Sequence, residues 1–274
     1  MFTIKETVVM EMSFDKTSGK KRWRNQTFCV LGAPKIGKSE LFAAGEGSAF
    51  LDIEGGLSHL SVVKFPKERP FLDYDELEST IDSLVALRQT GKFPPSIDTV
   101  IVDTATRLTQ LASDKALEIL NRKHPNKNWE TIEEVSLGGD KGSPGWQLRS
   151  NLVDALLGKL KQLDCAIVII AHMEHKKVKN DMGVDIDKQT IDIGGQLGKA
   201  YLRYSDHILN IIGKNDGGII TRTVRALPTA TIEAGSRGMC IQDQWVLENP
   251  KARTREAMQE AAKANYAKLR SFFE

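Results

Sequence analysis

The chain has 274 residues, with 38 Lys and Arg against 36 Asp and Glu and a formal net charge of +2. That length suits one large domain or a domain with appendages, and the near-neutral balance excludes a globally basic nucleic-acid binder, so any such contact must be a local patch. No apolar run approaches the roughly 18 residues of a membrane span, the N-terminus carries no signal-peptide pattern, and Cys29, Cys165 and Cys240, far apart in apolar runs, read as reduced thiols of a cytoplasmic protein.

Residues 1–24 read as an N-terminal hairpin or arm. Its end, Lys20-Lys21-Arg22-Trp23-Arg24, is either a solvated turn or a contact to a phosphate backbone. The run Thr27-Phe28-Cys29-Val30-Leu31 then predicts a short buried strand, and Lys38 to Ala44 predicts a helical start. Between them Gly32-Ala33-Pro34-Lys35-Ile36-Gly37-Lys38-Ser39 fits G-x-x-x-x-G-K-[ST], the phosphate-binding loop. Glycines let backbone N–H groups turn inward around a polyphosphate. Lys38 reaches the β- and γ-phosphates, Ser39 offers a hydroxyl to Mg²⁺, and the binding stretch runs through Glu40 at the opening of the helix.

Ser48-Ala49-Phe50-Leu51-Asp52-Ile53-Glu54 predicts a strand with an acidic end. Ligands of open parallel sheets lie beyond the carboxyl ends of the strands, so Glu54 is placed to orient or deprotonate an attacking water. A helix is expected over Asp73 to Gly91. The strand Thr99-Val100-Ile101-Val102-Asp103-Thr104 ends in an Asp suited to Mg²⁺, the second nucleotide signature. A helix from Thr106 to Lys123, with Leu108, Leu111, Ala112, Ile119 and Leu120 on one side, leads into a long polar segment, His124 to Gly145; Lys123, Lys127, Lys141 and Trp129 offer some grip on a polynucleotide, which Glu130, Glu133 and Glu134 would equally oppose. Another helix is expected over Trp146 to Leu163.

Asp164 to Ala171 is the most apolar strand, and His172 is expected to end it, either as a polar group that touches the γ-phosphate and reports its loss or as a satisfied histidine at a strand end. A His172–His175 metal pair lacks further ligands nearby. Lys176, Lys177 and Lys179 begin a basic loop or hairpin suited to nucleic acid. Asp206 to Ile212 and Ile219 to Ala226 predict two strands joined by a turn at Lys214 to Gly218, so the sheet begins parallel and ends antiparallel. Arg237 stands in a loop, either solvent-exposed or contacting a nucleotide of its own or a neighbouring subunit. A C-terminal helix is expected from Arg253 to Phe273, with Met258, Ala261, Ala262, Leu269 and Phe272 as its apolar side.

This order of motifs resembles the RecA-like ATPase core, and within it the phage AAA-type nucleotide-binding proteins, the Sak-type single-strand-annealing ATPases. The similarity covers roughly residues 25 to 240. Phe50-Leu51-Asp52-Ile53-Glu54 resembles the strand whose final Glu activates water. Ile167-Val168-Ile169-Ile170-Ala171-His172 resembles the sensor strand. Ile193-Gly194-Gly195-Gln196-Leu197-Gly198-Lys199 with Tyr204-Ser205-Asp206 resembles the glycine-lysine helix and following strand. The resemblance implies an α/β RecA-like P-loop core at residues 25–247, a mostly parallel sheet flanked by helices, with residues 248–274 as a C-terminal helix. It further implies ATP and Mg²⁺ as cofactors, single-stranded DNA as partner, and assembly into rings or filaments, with a single-strand-binding protein as a further candidate partner. In such assemblies basic residues of a neighbour complete the ATP site. Arg237 is the nearest match, with Gly235 where many relatives carry Lys. A phage-encoded chain would act in the host cytoplasm, away from membranes, and annealing or filament support fits better than strand exchange. The rival reading is a P-loop switch acting on a protein partner; a nucleotide kinase lacks a base pocket and an arginine-rich lid.

Overall fold

A computed structural model describes residues 22–135, 144–179, 182–217, 219–239, 241–252 and 254–273. The expected opening is present as β1 (Thr27–Gly32) and α1 (Lys38–Ala43). β1 is buried throughout, which is why it reads as one apolar run rather than an alternation. Further along lie β2 (Ser48–Asp52), β3 (Val63–Phe65), α2 (Tyr74–Gln89), β4 (Thr99–Asp103), α3 (Ala105–Lys123), α4 (Ile132–Val135) and α5 (Pro144–Lys161). Then come β5 (Ala166–Lys179), β6 (Asp185–Ile191), α6 (Gly195–Tyr204), β7 (His207–Asp216), β8 (Ile219–Arg225), β9 (Gly235–Ser236), β10 (Gln244–Leu247) and α7 (Arg255–Arg270).

Among the described residues these strands form one sheet in the order β10-β8-β7-β1-β5-β4-β2-β3, with β6 beside β5 and β9 beside β7. β1, β2, β3, β4, β5 and β7 run parallel, whereas β6, β8, β9 and β10 join antiparallel. The fold is therefore the expected α/β core with antiparallel strands added toward the C-terminal side.

Side chains of each parallel strand alternate between two cores. Cys29 and Leu31 join residues of α2, α3, α5 and α6 on one face. Phe28 and Val30 join α1, Trp23, Trp245 and Leu269 of α7 on the other. Burial pushes the Cys29 thiol up to about 12 and the Cys165 thiol up to about 11. Local chemistry sets the helix ends: the Asp73 carboxylate accepts from Glu76 N at the start of α2, and Gly91 turns the chain after it at φ +68°.

Several expectations are revised. β5 does not end at His172; it continues to Lys179 and pairs with β6 as a hairpin arm. The segment after α3 is not one long loop. Trp129 N donates to Asn121 Oδ1, α4 follows, and α5 begins at Pro144 rather than Trp146. β7 runs on through the expected turn to Asp216. Ile119 is half-buried, and Ala116 takes a fully buried place on α3. Trp23 is core rather than a phosphate contact: its indole Nε1 donates to Thr99 Oγ1 at 2.8 Å, and Phe28 and Phe273 pack on its ring. The C-terminal helix packs on the core through Leu269, with Arg270 bonded to Asp98 at 2.7 Å, and Met258 faces outward. Residues 1–21 of the N-terminal arm, Lys141 and Cys240 lie outside the described residues. No described helix is long and apolar enough to cross a membrane.

Candidate active site

β5 lies between β1 and β4. Register places Gly32 beside His172, and Asp103 beside Asp52 on the other side. The carboxyl ends of four parallel strands thus deliver the glycine loop, Glu54, Asp103 and His172 to one end of the sheet, where ligands of open α/β sheets bind.

The loop is built by close packing. A Cβ on Gly32 would meet Ile36 Cγ2 at 2.9 Å and the Ile211 carbonyl oxygen at 3.0 Å. Gly37 has φ +99°, and a Cβ there would stand 2.5 Å from Arg222 Nη1. Both positions therefore require glycine. Ala33, Pro34 and Lys35 form the partly or fully exposed turn, with Lys35 at φ +61°, while Ile36 tucks against Gly213. Glu40, on the first turn of α1, stands 3.7 Å from His59.

Lys38 is 5% exposed, and its Nζ donates to the Gly32 and Ala33 carbonyls at 2.9 Å. Burial holds this ammonium below its ordinary value, against the opposing pull of Asp103, Glu54 and Glu40. Ser39 Oγ donates to Asp103 Oδ2 at 2.6 Å. Burial pushes the Asp103 carboxyl up to about 6; the Ser39 bond opposes this, Glu54 and Asp52 add to it, and Lys38 opposes it. A hydroxyl and a carboxylate meeting at a phosphate loop are hard oxygen donors, the set suited to Mg²⁺. Among the described residues there is no cluster of three His, Cys, Asp or Glu that could hold a metal ion. His172 and His175, an odd number of positions apart on β5, face opposite ways.

Glu54 is aimed by the turn after β2. The backbone N–H groups of Ile53 and Glu54 donate to the Asp103 carbonyl at 2.8 and 3.1 Å. Gly55, at φ +83°, donates its N–H to Asp52 Oδ1 at 2.9 Å. Asp52 is wholly buried and paired with Lys64 Nζ at 2.9 Å. The half-exposed Glu54 carboxylate comes 3.5 Å from His172 Nε2.

The structure brings together the glycine loop, Lys38, Ser39, Glu54, Asp103 and His172, but not Arg237. Arg237 Nη1 pairs with Asp206 Oδ1 at 2.9 Å, and Asp206 Oδ2 accepts from Thr27 N and Oγ1 at the amino end of β1. The length of β1, roughly 3.3 Å per residue, separates it from its own chain's loop. Lys176, Lys177 and Lys179 are exposed on the arm but do not share a face. Lys177 and Lys179 lie opposite Asp187 and Asp185, and Lys176 lies opposite Lys188.

Sequence reading missed two site residues. Lys64 neutralises Asp52 from the neighbouring strand. Arg222, on β8, sets Nη1 3.5 Å from the Ile36 carbonyl while Nη2 donates to the Glu248 carbonyl and Nε to Asn249 Oδ1. A basic residue in a strand after a hairpin turn carried no signal that it would lie against the glycine loop.

Residues 24–238 match the family described as AAA domain. No curated protein matches the chain. The match spans all the motifs above, and a nucleotide-binding loop backed by a partly buried Ser–Asp pair is the site of a P-loop ATPase: the chain belongs to the AAA domain family.

Proposed function

We propose that the protein hydrolyses ATP at this site and couples hydrolysis to binding single-stranded DNA, as an oligomer of the Sak-type annealing class in the cytoplasm. The observation that carries the reading is the approach of Glu54 to His172 at 3.5 Å beside the Ser39–Asp103 pair. It joins the group placed to activate water to the strand that continues as the basic arm.

In this reading Gly32 to Glu40 wrap the phosphates with backbone N–H groups, and Lys38 turns its ammonium to the β- and γ-phosphates. Ser39 and Asp103 would hold Mg²⁺, which supplies neutralisation of phosphate charge. Glu54 orients water for attack on the γ-phosphorus and accepts its proton as the bond to the bridging oxygen breaks, leaving ADP and phosphate. His172, touching Glu54, transmits the loss of the γ-phosphate along β5 to Lys176, Lys177 and Lys179. Arg237, with a side chain 67% exposed at the other end of the sheet, is available to a neighbouring copy's phosphates. A switch acting on a protein partner is the second reading, favoured by the near-neutral net charge and by the aspartates opposite two of the arm lysines.

The test is single-strand binding by the wild type and by the triple variant Lys176→Ala, Lys177→Ala, Lys179→Ala. Weakened, salt-sensitive binding by the variant is expected. Unchanged affinity would remove the arm from the DNA contact, and no binding by the wild type would favour the protein partner.

A further inference from the structure

A groove of about 910 Å³ runs between the β5–β6 arm and the sheet formed by β7, β8 and β10. The segment around Thr231 and Ile232 ties the two walls together. Gln189 N donates to the Thr231 carbonyl, Glu233 N donates to the Gln189 carbonyl, and β9 pairs with β7 just beyond. A second cavity of about 700 Å³ adjoins it, sharing Arg225, Gln242 and Gln244.

The groove is lopsided in charge. Lys214, Arg225, Lys268 and His175 line it against Asp187, and Asp243 lines the adjoining cavity. Among the described residues neither Arg225 nor Lys268 makes a salt bridge. By contrast, Lys188 on the arm pairs with Glu233 at 2.7 Å.

We propose that this groove binds the phosphate backbone of single-stranded nucleic acid. The inference rests on the reading of a single-strand-binding ATPase and moves the main contact from the arm lysines to Arg225 and Lys268. Phosphates lie against these cations, the exposed amides of Gln242 and Gln244 reach sugar and base edges, and the exposed Val246 offers bases an apolar surface. His175 stands three residues beyond His172 on the same strand and on its opposite face, so β5 itself is what links the groove to the nucleotide site.

The experiment titrates the full chain into a fluorescein-labelled oligodeoxythymidylate across a salt series. Arg225→Glu with Lys268→Glu should weaken binding at least about ten-fold and lower the salt slope by about 1–2. The shift of thermal midpoint on adding Mg-ADP should be unchanged. Arg225→Lys with Lys268→Arg should bind like wild type. Lys268 is exposed, so Lys268→Glu alone provides a variant with an undisturbed fold, expected to bind about three-fold more weakly. Wild-type affinity in both reversal variants would overturn the groove and leave the single-strand reading intact. A wild-type protein that binds no single strand would overturn both.

Discussion

Nε2 of His172 lies 3.5 Å from the Glu54 carboxylate, with Glu54 on the turn after β2 and His172 on β5. The contact bridges the two proposed functions, since Glu54 lies near Lys38 of the glycine loop and β5 runs on into the basic arm. Glu54→Gln should lower kcat by about 10²–10⁴ while leaving Mg-ATP affinity within a few-fold. His172→Ala should retain basal hydrolysis within about ten-fold and lose its stimulation by single strands. Phosphate release with and without oligodeoxythymidylate checks both; stimulation that survives in His172→Ala would remove His172 from the coupling.

Asp103 carries a stability cost at the position proposed to hold Mg²⁺. Its carboxyl is pushed up to about 6 from an ordinary 3.8, first by burial. Between those values the folded chain holds more protons than the unfolded one, so stability falls as pH rises through that window. Across it the change is about 3 kcal/mol, at about 1.4 kcal/mol per pH unit. Asp103→Asn should therefore raise the thermal midpoint at pH 7 relative to wild type and lose this part of the pH dependence, while abolishing hydrolysis. An unaltered or lower midpoint would show that the charge is not costly there.

Lys64 matters for the opposite reason. It neutralises Asp52, which is wholly buried beside Asp103. Lys64→Met leaves that carboxylate without its cation and should cost about 3 kcal/mol, read from urea denaturation. Since Asp52 also holds the Gly55 N–H, the turn carrying Glu54 should loosen, and kcat should fall more than nucleotide affinity.

Gly37→Ala tests the packing of the loop. At φ +99°, with Arg222 Nη1 2.5 Å from the new Cβ, the substitution should cost about 1–3 kcal/mol and abolish Mg-ATP binding. Arg222→Ala should relieve the clash but not the backbone strain, so the double variant should recover part of the stability and little of the binding. Calorimetric titration with Mg-ADP separates the two.

What the sequence made legible followed from local chemistry. Glycine spacing with Lys38 and Ser39, the apolar runs before Asp52, Asp103 and His172, and the Gly91 stop each depend on neighbours within a few residues. What it hid depends on distant pairing. Lys64 acts only because β3 lies beside β2. Arg222 acts only because β8 pairs with β7, which lies beside the glycine-loop strand. The continuation of β5 past His172 was illegible because Lys176-Lys177-Val178-Lys179 has polar groups on both faces; β6 supplies the strand through backbone hydrogen bonds instead. The position of Arg237 was likewise set by β9, a two-residue strand too short to leave a pattern.

The central claim is that nucleotide hydrolysis and single-strand binding are one activity of an assembled protein. Steady-state ATP hydrolysis, measured with and without single-stranded DNA across a protein concentration series, tests it most directly. Stimulation by the single strand that rises more steeply than protein concentration is expected if a neighbour completes each site. Hydrolysis proportional to protein and indifferent to DNA would contradict it.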